Sequence, residues 1–200
     1  DSSRSLLIDK DAGEDANASG YDTINASALS TASLINITPG SSSRIALRNL
    51  TIDENTWIDA AIGGDGNDAI TGNALANKLN GGRGNDRFTA SQGNDFIDGG
   101  KGFDQIIYDA NRSDFIISQS GSLWTLKDLR AEKSNVYGEQ TFIGIERLVF
   151  NDQALILNAS NRVPTTVGQL ESLSYESETL FSHVLDGSKF KDLDVAEGNE

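Results

Sequence analysis

A six-residue turn recurs in this chain at a fixed interval of 18 residues: Gly63-Gly64-Asp65-Gly66-Asn67-Asp68, Gly81-Gly82-Arg83-Gly84-Asn85-Asp86 and Gly99-Gly100-Lys101-Gly102-Phe103-Asp104. Two altered copies, Gly72-Asn73-Ala74-Leu75-Ala76-Asn77 and Ala90-Ser91-Gln92-Gly93-Asn94-Asp95, fall at the half interval, so the underlying period is nine. A large apolar residue sits two places after each sixth position, giving Ile70, Leu79, Phe88, Ile97 and Ile106. Six residues turn and three extend. With 20 glycines in 200 residues, a Gly-Gly-x-Gly-x-Asp window arises by chance in roughly one of 10,000 positions. Three in register exclude coincidence, and exclude the reading of these glycines as ordinary hairpin turns.

Glycine supplies the positive φ that lets tight turns stack. A turn closed this tightly directs carbonyl oxygens inward, and one aspartate per turn adds an anionic oxygen; calcium takes six to eight such ligands. If each nonapeptide makes half a coil, copies 18 apart lie above one another and each stacked pair can enclose an ion. One ion would then lie between Asp68 and Asp86 and a second between Asp86 and Asp104, with Asp86 serving both. The apolar residue of each unit points into a narrow core from alternate sides. The sequence therefore specifies an all-β fold, a flattened parallel β-solenoid.

The pattern resembles the Gly-Gly-x-Gly-x-Asp-x-U-x nonapeptide of the RTX (repeats-in-toxin) family, which implies a calcium-bound parallel β-roll. That resemblance implies carbonyl ligands from Gly64, Gly66, Gly81 and Arg83 for the first ion, and from Gly82, Gly84, Gly99 and Lys101 for the second. On the opposite side Asn77 stands where aspartate is expected, Asp95 is retained, and Ser113 or Asp114 would face Asp95 from the following coil. A neutral amide weakens a cation site without abolishing it. Asp9, Asp11, Asp15 and Asp22 form a looser acidic cluster, read equally well as a solvated loop.

Thirty acidic residues against 16 basic give a formal charge of −14, which argues against nucleic acid or an anionic membrane as partner. It suits cations, and it makes folding dependent on the bound metal. With no cysteine in the chain, calcium takes the place of disulfides. Extracellular calcium modules bind at about 10⁻⁴ to 10⁻³ M, so such a chain would stay unfolded inside a cell and fold outside it. The resemblance implies the same: a bacterial protein that leaves by type I secretion and folds on external calcium. The absence of methionine points to a processed product or a piece of a larger protein. No apolar run is long enough to span a bilayer.

Four regions are expected. Residues 1–62 form an N-terminal β-strand region leading into the roll, 63–116 the roll itself, 117–157 a C-terminal cap, and 158–200 an acidic tail or the start of a cadherin/Ig-like domain. Gly20-Tyr21-Asp22-Thr23-Ile24-Asn25 and Trp57-Ile58-Asp59-Ala60-Ala61-Ile62-Gly63-Gly64 resemble the C-terminal domain of serralysin-type metallopeptidases. The run Phe142-Ile143-Gly144-Ile145-Glu146-Arg147-Leu148-Val149-Phe150-Asn151-Asp152 resembles a segment that closes RTX regions. A polar-faced cap is what an open solenoid end requires.

Catalysis finds little support. His183 is the single histidine, no His-Glu-x-x-His occurs, and no Gly-x-Ser-x-Gly accompanies the serines. Trp57 and Trp124 fit core or cap packing better than sugar platforms. The expected function is a non-catalytic calcium-binding module that supports secretion and stability of a larger exported protein, at the cell surface or outside the cell, and of adhesin type given the tail. The alternatives are the C-terminal domain of a secreted enzyme, such as a serralysin-type metalloprotease, or a carbohydrate-binding module. The expected partners are calcium ions and neighbouring domains of the parent protein.

Overall fold

Three extended residues between turns are enough for a short strand with one inward side chain, and strands of that length dominate the structure. The computed structural model describes residues 6–8, 21–46, 48–130 and 137–157. In chain order its strands are β1 (Leu6–Ile8), β2 (Thr23–Asn25), β3 (Leu34–Asn36), β4 (Ser42–Ile45), β5 (Arg48–Ile52), β6 (Ala60–Ile62), β7 (Ala69–Thr71) and β8 (Lys78–Arg83). There follow β9 (Arg87–Thr89), β10 (Phe96–Lys101), β11 (Gln105–Ile107), β12 (Phe115–Ser120), β13 (Leu123–Asp128), β14 (Glu139–Ile143), β15 (Arg147–Val149) and β16 (Ala154–Ile156). A 3-10 turn, Arg112–Asp114, precedes β12.

The strands form two sheets, one ordered β1-β5-β4-β3-β7-β9-β11-β15-β16 and the other β12-β13-β14-β10-β8-β6-β2. Each six-residue turn carries the chain from one sheet to the other, so strands 18 residues apart pair in parallel: β6, β8 and β10 in one sheet, β7, β9 and β11 in the other. The register aligns Ile35, Ile70, Phe88, Ile106 and Leu148 in one column. Ile24, Ala61, Leu79, Ile97 and Phe142 form the other. All ten are buried, and the five apolar residues predicted from the period, Ile70, Leu79, Phe88, Ile97 and Ile106, are at most 1% exposed.

The expectation of a solenoid is met at the level of an all-β fold. The sheets themselves are mixed. β4 and β5 form an antiparallel excursion beside β3, β12 and β13 another beside β14, and β16 turns back on β15. Parallel stacking nevertheless extends beyond the nonapeptides in both directions. β2 and β3 pair with β6 and β7, and β14 and β15 pair with β10 and β11. Part of the segment read as a cap thus adds a further tier before β16 closes it.

An aromatic cluster joins β12 to the ends of β11 and β15. The Tyr108 ring stacks on Phe150 at 5.4 Å and meets Tyr137 edge-on at 5.4 Å, with Phe115 beside them. Arg130 lies over the Phe115 and Tyr137 rings at 5.5 and 5.2 Å and pairs with buried Asp128 at 2.8 Å. Trp124 is buried against Phe142, ring to ring at 6.4 Å, whereas Trp57 is half-buried. These residues lie in one unit, residues 1–161. The tail from residue 158, with His183, and Asp9, Asp11 and Asp15 of the N-terminal acidic cluster lie outside the described residues.

A column packed one side chain per strand has little slack for a missing ring. Phe88→Ala, at the middle of its column, is expected to lower stability by about 3–5 kcal/mol, read as a reduced midpoint in urea unfolding with calcium present.

Candidate metal centre

The turns along one edge are held together by their acidic residues. The Asp68 amide donates to Asp86 Oδ1 at 2.7 Å, and the Asp86 amide donates to Asp104 Oδ1 at 2.7 Å. The ladder runs past the nonapeptides at both ends: the Ser33 amide donates to Asp68 Oδ1 at 2.6 Å, and the Asp104 amide to Glu146 Oε2 at 2.7 Å. Each carboxylate thus receives an N–H from the turn before it. Asp68, Asp86 and Asp104 are almost wholly buried. An asparagine ladder runs alongside, from Asn85 N–H to Asn67 Oδ1 and from Phe103 N–H to Asn85 Oδ1.

The second carboxylate oxygens are used differently. Asp68 Oδ2 accepts from the Gly64 amide at 2.7 Å, whereas Asp86 Oδ2 and Asp104 Oδ2 are buried with no hydrogen-bond partner. A buried carboxylate oxygen without a donor costs free energy unless a cation meets it. Carbonyl oxygens converge on the same places. Beside the Gly63 Cα lie Asp68 Oδ2 and the Gly81 carbonyl, and beside the Gly81 Cα lie Asp86 Oδ2 and the Gly99 carbonyl. Gly82 (φ +101°) and Gly100 (φ +95°) sit so close to the carbonyls of Gly64 and Gly82 that a Cβ would collide with them. Among the described residues no group of three or more His, Cys, Asp or Glu side chains could hold an ion. An ion here would draw most of its oxygens from the backbone. The donor set is all oxygen, which suits a hard divalent cation such as calcium.

The remaining predicted carbonyls are placed on the same edge. The Gly64 carbonyl accepts from the Arg83 amide at 2.8 Å and the Lys101 carbonyl from the Gly84 amide at 2.9 Å. The Gly66 carbonyl faces Gly84, and that of Gly84 faces Gly102. The Arg83 side chain is exposed, 3.9 Å from Asp65 and turned away from the buried carboxylates, which leaves only its backbone for the ligand role expected of it. A cavity of about 270 Å³ opens on this edge, lined by Ser27, Gly63, Gly64, Asp65, Gly82 and Lys101 among others.

Burial chiefly raises the pKa of Asp86 to about 7, with the charges of Asp104 and Asp68 adding to it. Burial likewise raises Asp104 to about 6, with Glu146 and Asp98 contributing. The stack resists full ionisation in the absence of a counter-ion.

The opposite edge is built from amides. Asp95 accepts from the Asn77 amide at 2.9 Å, from the Ser91 hydroxyl at 2.9 Å and from Gln140 Nε2 at 3.2 Å. Asn77 Oδ1 accepts from the Asn73 amide, and Asn73 Nδ2 donates to the Ile58 carbonyl, both at 2.7 Å. Burial raises the Asp95 pKa to about 6, against the lowering effect of the Asn77 and Ser91 donors. The side chain that faces Asp95 from the following tier is Gln140. Ser113 and Asp114, expected in that place, lie in the 3-10 turn, where Asp114 Oδ2 accepts from the Asn111 amide at 3.1 Å. The excursion through β12 and β13 intervenes before the chain returns to the stack. Asp22 of the looser acidic cluster donates its amide to Asp59 Oδ2 at 2.8 Å.

Glu146 and Gln140 escape a search for the nonapeptide. Both nevertheless occupy the acid position of an Asp-x-apolar unit, Glu146-Arg147-Leu148 and Gln140-Thr141-Phe142. The acid-x-apolar positions six to eight of the repeat, taken alone, match Glu146-Arg147-Leu148, and Gln140-Thr141-Phe142 with an amide in place of the acid.

Two outcomes follow from this geometry. Asp86→Ala removes a carboxylate shared by two inter-turn spaces, so it is expected to weaken calcium binding by more than Asp68→Ala does, as titration calorimetry of both variants would show. For the metal-free chain the sign of the pH effect is fixed by the raised values. The folded state holds protons that the unfolded state, with carboxylate pKa near about 4, has released. Metal-free stability is then fullest below about pH 4 and is lost as pH rises through about 6 to 7. Circular dichroism in chelator should show more β-structure at pH 5 than at pH 8; equal spectra would contradict the burial argument.

A sequence profile of the RTX calcium-binding nonapeptide repeat matches residues 58–74 and 71–106, with four copies. A search of curated proteins finds no match to the chain. The matched residues include the three intact turns and the two altered ones, the stretch in which buried carboxylates and inward carbonyls alternate. Residues 58–106 therefore carry RTX calcium-binding nonapeptide repeats, and calcium is the ion that such repeats bind.

Proposed function

We propose that this chain is a non-catalytic calcium-binding module of a larger exported bacterial protein, and that its repeats form a calcium-bound parallel β-roll which folds on extracellular calcium. The observation that carries this reading is the pair of buried, unpartnered oxygens, Asp86 Oδ2 and Asp104 Oδ2, in a stack of acidic turns. Such a stack is unfavourable at neutral pH without a divalent ion and favourable with one. Binding that supplies folding free energy makes calcium concentration the switch: low inside a cell, high outside. The module would pass the secretion apparatus unfolded and then stabilise its neighbours. An adhesin parent is proposed from the tail sequence, whose Phe190-Lys191-Asp192-Leu193-Asp194 resembles a bacterial cadherin-like repeat.

No described helix is long and apolar enough to cross a membrane. Asp68, Asp86, Asp104 and Glu146 form one ladder between stacked turns, an arrangement that favours a folding and cation-binding role.

Circular dichroism of the chelated protein at pH 7.5 should gain β-structure on addition of about 1–5 mM calcium, and lose it again with excess chelator. A spectrum indifferent to both additions would defeat metal-coupled folding.

A further inference from the structure

Beyond the two ions expected between nonapeptide turns, we infer that a further calcium site lies between turn 99–104 and the short turn Gly144-Ile145-Glu146, with Glu146 as its outer carboxylate. The inference deepens the calcium reading and rests on it.

The space in question repeats the geometry of the two below it. In each, the first glycine of the lower turn is flanked by that turn's own aspartate Oδ2 and by the carbonyl of the first glycine above. Gly63 has Asp68 and the Gly81 carbonyl; Gly81 has Asp86 and the Gly99 carbonyl; Gly99 has Asp104 and the Gly144 carbonyl. The register supports the equivalence, since Asp98 pairs with Ile143 and Gln105 with Arg147, which brackets both turns between matched strands. Glu146 Oε2 then accepts the Asp104 amide at 2.7 Å, as Asp104 Oδ1 accepts the Asp86 amide and Asp86 Oδ1 the Asp68 amide.

A second observation points to a ligand. Asp104 is fully buried and its Oδ2 has no hydrogen-bond partner, although it lies on the side of Gly99 that faces Gly144. At the other end of the ladder the corresponding oxygen, Asp68 Oδ2, is satisfied by the Gly64 amide. The upper turn has three residues instead of six, so it offers fewer carbonyls. Glutamate is longer than aspartate by one methylene, which lets a carboxylate reach down from a shorter turn. The Gly100 carbonyl lies close to Gly144 and supplies a further oxygen from below. Water would complete the shell, as is common for calcium.

The test is calcium stoichiometry and affinity of the full chain, by native mass spectrometry and titration calorimetry. Glu146→Gln keeps an oxygen for the Asp104 amide and removes the charge. The wild type should bind one ion more than Glu146→Gln, or bind that ion with affinity at least about tenfold higher, while Glu146→Asp retains it in part. Asp104 becomes a carboxylate shared by two ions, so Asp104→Asn should lose as much calcium as Asp86→Asn and more than Asp68→Asn. Superimposable isotherms for wild type and Glu146→Gln, or an Asp104→Asn effect no larger than that of Asp68→Asn, would overturn the site and leave the other two standing. A wild type that binds no calcium would overturn the calcium reading itself.

Discussion

The structure depends on one hydrogen bond repeated up an edge: a backbone N–H donated to the carboxylate of the turn above. It fixes the vertical register, because an acid can receive that N–H only if its turn sits directly over the previous one. Register then decides which side chain faces inward. The residue two places after each acid is the buried one, in Asp68-Ala69-Ile70, Asp86-Arg87-Phe88, Asp104-Gln105-Ile106 and Glu146-Arg147-Leu148 alike. One polar contact and one apolar side chain, three residues in all, specify each rung, while the glycines serve the turn between rungs.

That division explains what could be read from the sequence. The five buried apolar residues and the stacking of Asp68, Asp86 and Asp104 are legible because the nonapeptide keeps turn and rung together. Outside it the rung persists without the turn: Ser33-Leu34-Ile35 and Asp22-Thr23-Ile24 at one end, Glu146-Arg147-Leu148 and Gln140-Thr141-Phe142 at the other. Stacking in these tiers is parallel and in register, yet the connecting loops have lost their glycines or changed length. A pattern anchored on Gly-Gly-x-Gly passes over them. The excursions β4–β5 and β12–β13 hide them further, since a long insertion on one side of a coil leaves spatial order intact and destroys spacing. Eighteen residues beyond Asp95 the sequence reaches Ser113, beside Asp114, whereas Gln140 occupies that place in space, because the intervening chain leaves the stack through β12 and β13.

The two edges solve the same electrostatic problem in different ways. Stacked strands are about 4.8 Å apart, and two carboxylates at that separation repel by about 3 kcal/mol at an effective dielectric of 20. On the second edge the buried acid Asp95 lies between two amides, Asn77 below and Gln140 above, and accepts donors from both and from Ser91. No neighbouring acid in its column presses on it, and its hydrogen bonds are made within the protein. Such an edge holds its register without a metal. On the first edge Asp68, Asp86, Asp104 and Glu146 follow one another with no side-chain amide between them, and each of the last three accepts the backbone N–H of the acid below it.

Repulsion therefore accumulates along one edge alone. A polymer with one self-satisfied edge and one repelling edge would splay, opening at the acidic turns while remaining closed at the amide turns. A divalent cation in each inter-turn space reverses the sign there, since every added ion is attracted by the carboxylates above and below it. The turn region nearest Asp86, flanked by acids on both sides and carrying the highest of the raised aspartate pKa values, is where opening should begin and where the ion matters most. The asparagine, serine and glutamine substitutions opposite are on this view part of the design of a metal-gated edge, because they leave the fold with one hinge line that needs no ion and one seam that does.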